Sequence, residues 1–182
     1  SGDHILAMCA LGRGETTIVG TVMSNLGVEN YLAERGVTLL RSQVGDRYVL
    51  ETLKAQGLTL GGEQSGHVLF LDKAPTGDGM LTALQTLAAV RESGKPLESW
   101  VKEIPLYPQT LLNVPVEDKR GVAGRLEVRQ AVERAEHRLA GKGRINLRPS
   151  GTEPLVRVMV EGQSQDLIEA IASEVAAVVA RA

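Results

Sequence analysis

TTIVGTVMSNLGVENYLAERGVTLLRSQVGDRYVLETLKAQGLTLGG, from Thr16 to Gly62, switches twice between a two-residue and a 3.6-residue apolar period. Thr17 to Met23 is a β-branched run that predicts a strand. Ser24 is a candidate cap for a helix with Val28, Tyr31 and Leu32 on its inner face, and Gly36 can close it. Val37 to Val44 predicts the next strand. Asp46 can cap a second helix carrying Val49, Leu50 and Leu53 inward, ended by Gly57, and Leu58 to Gly62 predicts a third strand. Strands separated by single helices form βαβ units, whose sheet is covered by helices. Ligands in such folds gather at loops beyond strand ends.

Working outward, Ile5, Leu6, Cys9 and Ala10 fall on one helical face, with Asp3 as a candidate N-cap. No strand precedes this helix, so the chain reads as a domain cut at a boundary. Downstream, Val68 to Leu71 predicts a short strand. Asp78 then caps a long helix whose apolar positions are Met80, Leu81, Leu84, Leu87 and Ala88. Around Pro105 to Pro108 the pattern breaks. Leu106 to Val116 opens a second unit, with a helix over 124–139, strands over 144–147 and 155–161, and a last helix from Ser164. Leu167, Ile168, Ile171, Val175, Val178 and Val179 form one stripe on that helix. The expected fold class is α/β: a βαβ sheet domain with flanking helices over 1–105, followed by a smaller α+β sandwich domain over 106–182 with its helices on one face.

Composition narrows the function. The chain has 182 residues, 43% hydrophobic and 23% charged, with a net charge of −2. A balance so near neutral argues against a broad nucleic-acid surface, which needs a basic face. No apolar run reaches transmembrane length, so no membrane association is expected. The single cysteine, Cys9, excludes an intrachain disulfide and reads as a small buried hydrophobe in a reducing, cytoplasmic compartment.

Two polar stretches carry chemistry. RPSGTEPLVRV, Arg148 to Val158, brackets Ser150, Gly151 and Thr152 with the guanidinium groups of Arg148 and Arg157. Hydroxyls and free N–H groups donate to phosphate oxygens, glycine admits close approach, and arginine supplies planar bidentate donors. GGEQSGH, Gly61 to His67, offers Glu63, Gln64, Ser65 and His67, donors and acceptors suited to sugar hydroxyls. Each stretch is also compatible with a plain polar connection between strands. TGDG, Thr76 to Gly79, has one carboxylate and no second acid nearby, which suits helix capping by Asp78 better than a hard cation. Arg47 lies in a first helical turn, where an anion binds favourably.

GGEQSGH and RPSGTEP, with VGDRYVLE (Val44 to Glu51), TVMSNLG (Thr21 to Gly27) and APTGDGMLTALQ (Ala74 to Gln85), occur in an order that resembles the C-terminal half of the bacterial phosphoglucosamine mutase family, in the α-D-phosphohexomutase superfamily. The resemblance runs from about Gly2 to the end. It implies domains three and four of a four-domain isomerase that interconverts glucosamine 6-phosphate and glucosamine 1-phosphate. The route passes through a phosphoserine enzyme and a hexosamine 1,6-bisphosphate, which also serves as activator. The resemblance places the phosphoserine in the first domain and the Mg2+ aspartates in the second. Neither a TASHNP-like nor a DGDGDR-like loop exists in this chain, so no catalytic nucleophile and no metal ligand are expected here, and the segment alone is expected to be inactive.

Its implied partners are the phosphosugar substrate and the N-terminal domains of the same chain. By the resemblance, Glu63, Ser65, His67 and Arg47 contact the substrate, His67 donating to phosphate or moving a proton. Arg148, Ser150, Gly151, Thr152 and Arg157 hold the phosphate. Glutamine at 64 and glycine at 151 favour the glucosamine branch over phosphomannomutases and phosphoglucomutases. The other readings are one of those relatives, a phosphosugar-binding module without chemistry, or an interaction domain whose polar loops are decoration.

Overall fold

Thr17–Thr21 (β1) has hydrogen-bonded neighbours on both sides, Thr38–Ser42 (β2) and Leu60–Gly62 (β3), both parallel to it. A short strand, Val68–Phe70 (β4), returns antiparallel against β3, giving the order β2-β1-β3-β4. The computed structural model describes residues 1–182. Within it the chain divides into two units, Ser1–Leu106 and Tyr107–Ala182.

In the first unit, side chains alternate across the sheet, and the two faces have separate cores. Ile18, Leu39, Leu60 and Phe70 pack with Gly2–Arg13 (α1), Leu26–Ala33 (α2) and Leu97–Glu103 (α5). Val19 and Leu69 face the other way, onto Val49 and Leu53 of Asp46–Gln56 (α3). The register explains the glycine at 61. Val19 pairs with Gly61, and a Cβ there would lie 2.8 Å from Val49 Cγ1 and 3.0 Å from the Val19 carbonyl oxygen. The remaining helix of this unit is Gly79–Ser93 (α4), capped by Asp78, whose Oδ1 accepts from the Met80 and Leu81 N–H groups at 2.8 and 3.0 Å.

Several local expectations change. Asn25, not Ser24, caps α2 by accepting from the Gly27 N–H, because the Ser24 hydroxyl is drawn back to the Thr21 N–H at the strand end. Asp3 lies inside α1, whose N-cap is Ser1. Its carboxylate accepts from the Asn25 N–H at 3.0 Å and ties the starts of two helices together. Met80, Leu84 and Leu87 are 79%, 63% and 63% exposed, whereas the buried positions of α4 are Thr82 and Ala89. The reason is the close α1–α4 contact: a Cβ on Gly12 would sit 2.7 Å from that of Ala89. Small side chains occupy the seam; Leu81 packs against the core as expected, while Met80, Leu84 and Leu87 are left outside. The helix α5, with Trp100 and the following Ile104 buried, has no counterpart in the periodicity reading.

The second unit is an antiparallel sheet in the order β5-β7-β6, made of Gln109–Pro115 (β5), Gly143–Pro149 (β6) and Leu155–Gly162 (β7). Leu126–Leu139 (α6) and Gln165–Arg181 (α7) cover one face. Val156, Val158 and Val160 point to that face, against Val128, Ala131 and Ala135 of α6 and Ile168, Ile171 and Val175 of α7. Burying each such isoleucine or valine stabilises by about 1.5–3 kcal/mol. The last helix begins at Ser164 as expected, and the Ser164 hydroxyl caps α7 by accepting from the Leu167 N–H. By the same alternation Arg157, Met159 and Glu161 point to the opposite face.

Candidate functional site

Register brings the two arginines of the phosphate-like stretch side by side. Arg148 on β6 is the direct partner of Arg157 on β7, which places their side chains on one sheet face with Cβ atoms roughly 5 Å apart. Arg148 has no carboxylate partner. Burial first, and then the Arg157 charge, push the Arg148 guanidinium down from its ordinary pKa. Arg157 donates from Nη2 to Glu153 at 3.2 Å, while its buried Nε has no partner. Two cations held together with unused donors form a site short of an anion.

The turn between these strands is built to leave its amides open. Ser150 is buried, at 2% exposure. Its N–H donates to the Leu155 carbonyl at 2.9 Å, and its hydroxyl oxygen accepts from the Glu153 N–H at 3.3 Å, leaving the hydroxyl hydrogen free to donate. Gly151 and Thr152 are exposed, and neither N–H has an acceptor within the protein. A Cβ added at Gly151 would meet nothing within 4 Å, and the residue has no positive φ. The fold itself therefore does not require glycine there, and the space above it is open for close approach of a ligand.

The other polar stretch closes β3 to β4. Gly66 donates to the Glu63 carbonyl and Glu63 N–H to the His67 carbonyl, both at 2.9 Å. The Glu63 carboxylate reaches across to accept from the Gly45 N–H at 2.9 Å. Gly45, with φ of 129°, holds a conformation that side chains disfavour, and it, rather than the expected Asp46, forms the N-cap of α3; the Asp46 carboxylate accepts only from the adjacent Arg47 N–H at 2.7 Å. The loops after β2 and β3 are thus bonded to one another at the strand ends. The α1 terminus supports them, since Gly2 N–H donates to the Gln64 carbonyl at 3.0 Å.

His67 lies against the TGDG turn, where a Cβ on Gly77 would come within 2.5 Å of its Nε2. That nitrogen is buried, lacks a hydrogen bond and stands 3.8 Å from Asp46 Oδ2. Ser65 is exposed. Arg47 is exposed and ion-paired with Glu51 at 2.8 Å, and this pairing together with the nearby Tyr48 raises its pKa.

Glu63, Ser65 and His67 share one loop, and Asp46 and the Gly45 amide join them; Arg47 points along α3 to its own ion pair. Sequence reading missed Asp46 and Gly77 as neighbours of His67, the Gly45 amide as the partner of Glu63, and Asn146, whose buried Nδ2 is unpaired on the same strand face as Arg148. A polar residue two positions before Arg148 on a strand is the one signal that could have pointed to Asn146. No three His, Cys, Asp or Glu side chains gather as a metal would need. Asp78 is engaged as a helix cap, so the residues present do not fit a magnesium site.

Two family models match this chain. Residues 1–107 match "Phosphoglucomutase/phosphomannomutase, alpha/beta/alpha domain III", and residues 111–178 match the C-terminal domain of the same family. The chain belongs to the phosphoglucomutase/phosphomannomutase family. It is 57% identical over 178 residues to a phosphoglucosamine mutase of Deinococcus radiodurans, with 98% of this chain and 40% of that protein covered. It is 55% identical over 175 residues to one from Thermus thermophilus, with 96% and 40% covered. The chain therefore spans about two fifths of the length of these relatives.

Among solved structures, Aspergillus fumigatus N-acetylphosphoglucosamine mutase in complex with GlcNAc-6P and magnesium superposes with a TM-score of 0.84 at 19% identity. That match covers 98% of this chain and 46% of that one. A Burkholderia thailandensis phosphoglucomutase/phosphomannomutase family protein superposes with a TM-score of 0.69, also at 19%, covering 98% and 41%. At these identities the superpositions establish a shared fold and nothing further.

Proposed function

We propose that these 182 residues are the sugar-reading and phosphate-holding part of a phosphoglucosamine mutase, an isomerase that interconverts glucosamine 6-phosphate and glucosamine 1-phosphate. The observation that carries this reading is the pairing of Arg148 with Arg157 beside a turn whose Gly151 and Thr152 N–H groups have no acceptor. The choice of the amino sugar rests on relatives at 57% and 55% identity bearing that name.

In the proposed reaction a phosphoserine on the remainder of the protein gives its phosphoryl group to the free hydroxyl of the substrate. The resulting hexosamine 1,6-bisphosphate turns over and returns the other phosphoryl group to the serine. Such transfers depend mainly on positioning and charge stabilisation. Here the non-reacting phosphate is held by Arg148, Arg157, the Ser150 and Thr152 hydroxyls and the Gly151 amide. Glu63 and Ser65 accept and donate to sugar hydroxyls in either orientation. His67 donates to phosphate or moves a proton, and Arg47 adds positive charge at the start of α3. Mg2+, where it acts, supplies charge neutralisation at the transferring phosphoryl group and is held outside these residues. A free, buried Cys9 fits a cytoplasmic setting; no helix is long and apolar enough to cross a membrane.

The test is a titration of this chain with glucosamine 6-phosphate, glucose 6-phosphate and inorganic phosphate, followed by amide chemical shifts. Shifts at 63–67 and at 148–157, larger for the amino sugar, are expected. Equal shifts for all three ligands at 148–157 alone would reduce the chain to a phosphate clamp, and no shifts there would overturn the reading. Mutase turnover by this chain alone is expected to be absent.

A further inference from the structure

The segment between β5 and α6 holds the back of the phosphate turn. Lys119 Nζ donates to the Ser150 carbonyl at 2.8 Å and to the Glu153 carbonyl at 3.0 Å. Three residues earlier, Val116 N–H donates to the Pro154 carbonyl at 3.2 Å. Three of the carbonyl oxygens between Ser150 and Pro154 are thus drawn to one side by a single stretch of chain. A trans peptide points its carbonyl and its N–H in opposite directions, and no peptide bond in the chain is cis. With the Ser150 carbonyl fixed on Lys119, the Gly151 N–H is turned to the other side.

Lys119 is itself well placed to hold that position. Asp118 Oδ1 accepts from the Arg120 and Gly121 N–H groups at 3.2 and 2.9 Å, which folds the backbone tightly around the lysine. A Cβ at 121 would lie 2.1 Å from Asp118 Oδ2 and would displace the carboxylate that folds this turn. Val122, 1% exposed, anchors the turn in the core of the second unit. Lys119 spends two of its three ammonium donors on the carbonyls of the turn. Carbonyl oxygens turned toward a bound anion would repel it, and the lysine both removes them and places a positive charge behind the amides.

We propose that Lys119 is a positioning residue for phosphate binding: it orients the 150–154 turn so that the Gly151 amide faces the ligand. This rests on the assignment of that turn as the phosphate holder. The experiment compares Lys119→Met, Lys119→Arg and Arg148→Ala, each titrated with inorganic phosphate and with glucosamine 6-phosphate, with a thermal melt and an amide spectrum of the ligand-free protein as controls.

Methionine keeps most of the length of the stem and removes the donors. It should weaken phosphate binding by about tenfold, move the Gly151 and Thr152 amide resonances in the ligand-free state, and leave the core resonances of Val158 and Ile171 in place. Arginine, which can also donate to two carbonyls, should restore affinity to within about threefold. A merely structural role would lower the melting temperature without rescue of affinity by arginine. Unchanged phosphate affinity in Lys119→Met alongside a loss in Arg148→Ala would overturn the role of Lys119 and leave the phosphate turn standing. Unchanged affinity in both would remove the turn itself as the site.

Discussion

Replacing Arg148 with alanine should reduce binding sharply while leaving stability nearly unchanged. Arg148 faces Arg157 across the β6–β7 pair and has no carboxylate of its own. Two unit charges roughly 6 Å apart repel by about 0.7 kcal/mol in bulk water and by about 3 kcal/mol at the effective dielectric of about 20 typical near a protein surface. Truncation relieves that repulsion but forfeits stem packing worth about 0.8 kcal/mol per buried methylene, and the two offset, so the net change in unfolding free energy should stay within about 1 kcal/mol of zero. For a unit of this size, that is a shift in melting temperature of no more than about 4–8 °C in either direction.

Binding loses much more. A hydrogen bond to a charged group contributes about 1.5–3 kcal/mol, and the guanidinium can make two to one phosphate. Loss of even one corresponds to roughly 10- to 150-fold weaker binding of phosphate and of glucosamine 6-phosphate. Calorimetric titration measures the affinity and a thermal melt measures the stability. A variant that binds phosphate within about twofold of the parent refutes the clamp. A variant that loses binding only because it has melted assigns Arg148 a structural role instead.

Two further outcomes test the scaffold. Gly61→Ala drives a methyl group into Val49, Leu53 and the Val19 carbonyl and should cost about 1–3 kcal/mol by overpacking; urea unfolding of the chain checks it, and a neutral result would mean that α3 packs more loosely on β1 and β3 than described. Glu161, fully buried on β7, accepts from Arg144 and from Gln109 on the flanking strands. Glu161→Ala leaves a partly buried guanidinium without its carboxylate and should destabilise the second unit by about 3–5 kcal/mol. A loss below about 1 kcal/mol in denaturant melts would show that water replaces the carboxylate freely.

Much of the fold was legible because each unit is made of local elements with strong end signals. The 3.6-residue stripes of α3 and α7, the Gly57 terminus and the Asp78 and Ser164 caps are decided within a few residues of chain, by backbone geometry and side-chain hydrogen bonds that need no distant partner. Ser24 was the expected cap of α2, but its hydroxyl accepts from the Thr21 N–H at the end of β1 and Asn25 takes the cap. The outward face of α4 was misleading for a related reason. Apolar period shows that a helix has a buried side, but the side chosen was set by how closely Gly12 and Ala89 let two helices meet.

The candidate site divides in the same way. The sequence by itself determined which chemistry was on offer: two arginines bracketing Ser-Gly-Thr, and a loop of donors and acceptors between glycines, because donor capacity and charge belong to residue types. Tertiary structure alone decided what those groups face. Strand register set Arg148 opposite Arg157, the Glu63 carboxylate found the Gly45 amide across the strand ends, and Lys119, well upstream of the turn in sequence, took up its carbonyls. Most of these contacts join residues distant in the chain, and their geometry exists only once the entropy of loop closure has been offset by packing of each unit's core.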